Sequence, residues 1–102
     1  AAVALLERCR SGRFDGSLAS IAVAVTDCNS AYFDAAHGFR GCIAGLHEVL
    51  RRQGLLEGIW CLEEREGLSP GQSGEIDRVR RARPELCDDA FVAAHRDAWL
   101  SG

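Results

Sequence analysis

Apolar residues recur at steps of three and four along most of the chain, the spacing of helices that each present one apolar side. Ala1 to Arg10 is rich in the best helix formers, and Val3, Leu6 and Cys9 share a face. Ser11-Gly12 ends this helix, with Arg8, Arg10 and Arg13 near that end suited to the negative pole of its dipole. A second helix is predicted from about Ser17 to Ala36, with Asp15 or Ser17 as its cap and one stripe through Leu18, Ile21, Val25, Cys28 and Tyr32. The run Ile21 to Val25 holds three β-branched residues, but no alternation or hairpin turn flanks it, so a strand is not expected. Gly38 stands where a left-handed terminating residue belongs.

A third helix, about Arg40 to Gln53, carries Ile43, Leu46, Val49 and Leu50 on one face and Glu48, Arg51 and Arg52 on another, and Gly54 supplies its stop. Gly41 and Gly45, four apart, form a smooth strip that another backbone could approach closely; Gly41 could equally be just the helix entry. Leu55 to Leu68 reads as a connector, apolar in its first half and acidic in its second. Ser69-Pro70-Gly71-Gln72 has the residues of a capping box, opening a helix from Pro70 to about Ala82 that Arg83-Pro84 closes. The apolar content of that helix is thin (Ile76, Val79, Ala82), which predicts a surface position. Asp88 or Asp89 then caps a last helix through Phe91, Val92, His95 and Trp99. The expected organisation is one helical region over 1–102: three helices in 1–54, the connector 55–68, and in 69–102 a capped helix plus a short terminal one.

Composition narrows the chemistry. All twelve basic residues are arginine, so no side-chain amine is present to form a Schiff base and no P-loop lysine exists. The net charge of −3 argues against a dedicated nucleic-acid binder, and no apolar run is long enough for a membrane helix. The absence of methionine suggests a chain processed or cut from something longer. Five cysteines without a Cys-x-x-Cys pair do not suggest zinc, and they fit buried reduced thiols of a cytoplasmic protein.

No catalytic constellation stands out. His37, His47 and His95 are far apart in sequence, and His47 lies about 140° around its helix from Cys42. Glu63, Glu64 and Glu66 lack the spacing of a calcium loop and read as a solvated face. Arg78, Arg80, Arg81 and Arg83 could hold an anion, but Glu75 and Asp77 dilute them, and a solvated or salt-bridged face is the preferred reading. Trp60 and Trp99 suit burial against a partner surface.

The order of elements from Ala1 to Val79 resembles the C-terminal region of the dihydrodipicolinate synthase and N-acetylneuraminate lyase family. The stretch from Phe33 to Leu56 carries the likeness most clearly, opening Phe33-Asp-Ala-Ala-His-Gly-Phe-Arg-Gly-Cys-Ile-Ala-Gly45 and closing Leu50-Arg-Arg-Gln-Gly-Leu-Leu56. Gly58-Ile-Trp-Cys-Leu62 and the helix start Leu68-Ser-Pro-Gly-Gln72 follow it. The spacing and caps predict an all-α fold of about five helices with no strand, and the resemblance implies that they are the C-terminal extension of a (β/α)8 barrel whose strands are absent. Members of that family act on 2-oxo acids through a Schiff base on a barrel-strand lysine, assisted by a tyrosine from another strand. Neither carries over, because there is no lysine and the only tyrosine, Tyr32, falls in a helix. The expectation is therefore no catalytic, cofactor-binding or metal-binding residues, and a structural role against the missing barrel, another subunit or a further copy of the chain. The alternative is a self-standing all-α interaction or scaffold protein. Residues after Pro84 run past the family's final helix and have no assigned place.

Overall fold

The computed structural model describes all 102 residues and is all-helical, with five helices and no strand. They are α1 (Ala2–Arg10), α2 (Gly16–Tyr32), α3 (Cys42–Arg52), α4 (Gln72–Ala82) and α5 (Asp89–Leu100), with 3₁₀ turns at Ala35–His37 and Pro84–Leu86. No helix is long and apolar enough to cross a membrane.

Local chemistry explains most of the boundaries. Asp15 caps α2 by accepting from the backbone N–H groups of Ser17 and Leu18. The helix stops at Tyr32, four residues short of the predicted Ala36, because Asp34 adopts a left-handed conformation (φ 58°). The end of α3 satisfies its free carbonyls as expected. Gly54, at φ 77°, donates to the Arg51 carbonyl, and Leu55 donates to that of Leu50. The capping box before α4 forms by half. Gln72 Oε1 accepts from the Ser69 N–H at 3.0 Å, but the Ser69 hydroxyl turns away to Asp34, and α4 begins at Gln72 rather than Pro70. At α5 neither aspartate supplies a side-chain cap: Asp88 holds the amino group of Ala1, while Asp89 accepts from Gln53 and Arg80.

The core lies where α2, α3 and α4 meet. Helix α4 is its centre, contrary to the surface position its composition predicts. Ile76 and Val79 are completely buried against Cys28 and Ala31 of α2, with Tyr32, Val49, Leu68 and Leu86 around them. Two apolar side chains suffice because each is fully enclosed, stabilising by roughly 1.5–3 kcal/mol apiece. By contrast, α1 buries no residue and α5 only Val92. The cysteines are all free thiols. Cys28 and Cys87 are buried as expected, but Cys9 is exposed and Cys42 and Cys61 are half-buried.

Candidate functional site

The orientation of α3 decides the character of the surface. A helix with one apolar face ordinarily buries it. Here Ala44, Gly45 and Glu48 face the core, Ala44 at 1% and Glu48 at 4% exposure, while Ile43, Leu46 and Leu50 remain 48%, 38% and 36% exposed. The glycine strip explains this inversion. A Cβ at Gly45 would collide with the Tyr32 carbonyl oxygen, and one at Gly41 with the side-chain amide of Gln72. Only the glycine side of α3 can come this close to α2 and α4, and that side lies away from the aliphatic stripe.

The charge on the inner side of α3 is neutralised locally. Glu48 accepts from Arg51 at 2.7 and 2.8 Å and from Arg52 at 2.8 Å. Arg52 reaches across to Asp77 and Ser73 of α4, so the ion pairs also stitch the two helices together. The Arg51 guanidinium, more than offsetting the cost of burial and aided by Arg52, pulls the Glu48 carboxyl down to about 2.

Beside this contact lies a buried polar junction. Asp34 accepts from the Ser69 hydroxyl, from the Gly41 N–H at 2.9 Å and from His37 Nδ1 at 2.7 Å. Burial alone would raise the Asp34 pKa, but the Ser69, His37 and Gly41 donors outweigh it and hold it below the ordinary carboxylate value. Gln72 completes the junction, its Nε2 donating to the carbonyls of Gly41 at 3.0 Å and Ala31 at 3.3 Å. One side chain thus bridges the end of α2, the start of α3 and the entry to α4.

A serine, an aspartate and a histidine therefore meet, but in the wrong order for nucleophilic chemistry. Ser69 donates its hydroxyl hydrogen bond to the Asp34 carboxylate, and the imidazole contacts the other oxygen of that carboxylate. An activated serine needs the imidazole between hydroxyl and acid, as the base that takes the proton. The adjoining cleft, among Ser30, His37 and Glu75, holds about 280 Å³, just below the roughly 300–1,000 Å³ of small-molecule sites. The junction's chemistry is that of a structural lock.

The other residues singled out by sequence are dispersed. His95 Nδ1 donates to the Phe91 carbonyl on exposed α5, and His47 sits half-buried on α3. Glu63, Glu64 and Glu66 are exposed. Arg78 pairs with Asp27 and Glu75, Arg80 with Asp89, and Arg83 with Glu85. The arginine run is thus largely spent on contacts within the chain. Trp60 and Trp99 are both more than half or half exposed rather than enclosed by this chain. Sequence reading missed Asp34 as a buried hub; its signal was the αL-tolerant Asp-x-x-His step at the end of a helix.

Comparison of the chain with protein-family models, with curated proteins and with solved structures returns no match.

Proposed function

We propose that this chain is a structural helical layer, not catalytic by itself, which attaches to a larger body through the outward stripe of α3. One observation carries the reading: Ile43, Leu46 and Leu50 remain partly exposed on a helix whose glycine side makes the tight contact. Such a stripe loses about 25 cal/mol for each Å² of apolar surface kept wet, a cost a covering surface would remove.

The sequence landmarks from Phe33 to Leu56 supply the identity of the body in this proposal: the barrel of a dihydrodipicolinate synthase-like lyase, which would bring the Schiff-base lysine this chain lacks. The test mixes the chain with such a barrel truncated before its C-terminal helices. A one-to-one complex is expected by light scattering, lost on Leu46→Glu, with a borohydride-trapped pyruvate adduct on the barrel only. Failure to associate, or association untouched by Leu46→Glu, overturns the reading.

A second reading, a self-standing interaction protein, is favoured by the junction at Asp34 and Gln72, whose partners all lie within this chain. It predicts sharp, cooperative melting of the isolated chain with no barrel present.

A further inference from the structure

Most arginines of this chain are matched by its own carboxylates. Eight of the twelve form ion pairs within it. Of the other four, Arg13 donates to the Ser11 hydroxyl and Arg81 to the Asp77 carbonyl. Arg40 and Arg65 are exposed and have no ion pair or hydrogen bond from their guanidinium groups. These two share a place. Arg40, in the turn before α3, and Arg65, in the connector, line one cleft of about 470 Å³ whose remaining wall is the segment 66–70. That volume lies within the roughly 300–1,000 Å³ of small-molecule sites.

The wall brings further donors. The backbone N–H groups of Gly67 and Leu68 have no acceptor in the chain, although the Leu68 side chain is half-buried against the core. The next residue is held firmly: the Ser69 N–H donates to Gln72 at 3.0 Å, and its hydroxyl to Asp34. The buried junction thus anchors one end of this wall. Glu66 is the one carboxylate lining the cleft, and it pairs with neither arginine.

We infer that the cleft binds the phosphate group of a small, soluble phosphate ester, gripped by the Arg40 and Arg65 guanidinium groups with help from the Gly67 and Leu68 N–H groups. Two like charges lining one cleft repel each other, and no carboxylate stands within ion-pair distance of either to offset this; a dianion between them would. Guanidinium groups donate in pairs, and a phosphate ester has three terminal oxygens to accept from two such forks and from the backbone, where a carboxylate has two. Leu68 and Pro70 give the carbon part of the ester a small apolar wall. The ligand is small because the chain carries a net charge of −3 and exposes Glu63 and Glu64 just before Arg65, which repel a long polyanion.

A phosphorus NMR titration of glycerol 3-phosphate with the full chain, at low ionic strength, tests the proposal. Saturable one-to-one binding is expected, with a Kd of roughly 1 mM. Arg40→Ala and Arg65→Ala should each weaken it about tenfold or more, as for loss of a charged hydrogen-bonding partner, with circular dichroism unchanged because neither side chain has a partner in the fold. Arg13→Ala and Arg81→Ala remove the same charge outside the cleft and should leave binding as it was, while Glu66→Gln should tighten it. Inorganic phosphate should compete and acetate should not. A signal that never saturates, or an equal loss in all four arginine variants, means diffuse attraction and overturns the site. Competition by acetate as strong as that by phosphate overturns the ligand class. Binding to phosphatidic acid vesicles without binding to glycerol 3-phosphate overturns the soluble ester in favour of a lipid headgroup.

Discussion

At the scale of single residues, the fold depends on a few side chains that local patterns describe poorly. Gly41 and Gly45 are legible as a smooth strip, and the structure uses both for close approach. Gln72 is legible as a capping residue, yet its amide also spans three segments, a role set by neighbours more than thirty positions away. Glu48 reads as part of a polar face and is buried instead, made tolerable by two arginines. Its carboxyl lies near 2 when folded against an ordinary value of 4.5. A depressed carboxylate contributes stability above its unfolded pKa and loses it as pH falls through the folded one. Urea unfolding should therefore weaken between about pH 4.5 and 2, with Glu48 accounting for on the order of 2 kcal/mol after allowing for the exposure of Arg51. Asp34 and Asp89, also lowered, add to the same acid limb. Glu48→Gln should flatten that limb; an unchanged slope would mean that the ion pairs contribute nothing.

Among elements, the helices themselves are readable from spacing, caps and glycines, while their depth in the molecule is not. Helix α4 has only two large apolar residues and looks superficial, but both are completely enclosed. Helix α3 has the clear aliphatic stripe, yet only Val49 of it packs on the core, while Ile43, Leu46 and Leu50 remain on the exposed side. Periodicity reports that a helix has sides; which side is covered depends on how closely another backbone can come, and that is a property of the pair. The contrast is measurable in chemical denaturation. Ile76→Ala should cost about 3–4 kcal/mol through lost burial and a residual cavity. Leu46→Ser, on the nominally stronger face, should cost well under half as much. Equal losses would show that the stripe of α3 is packed within the chain after all.

Over the whole molecule, 13 of 102 residues are buried, and all but two of them lie between Ala24 and Val79. The chain measures 45 × 37 × 22 Å, a flattened body with α1 and α5 as appendages on a three-helix centre. Amide hydrogens should therefore exchange earliest in α1, next in α5 and last in α2 and α4, in the order of their enclosure. Uniform protection across the five helices would contradict that hierarchy. The inverted α3 has one more implication. Instructions for folding are written on its glycine edge and instructions for adhesion on its aliphatic edge, so the two vocabularies can drift separately. A lineage could exchange one docking surface for another by rewriting three or four exposed positions, without renegotiating the architecture that presents them.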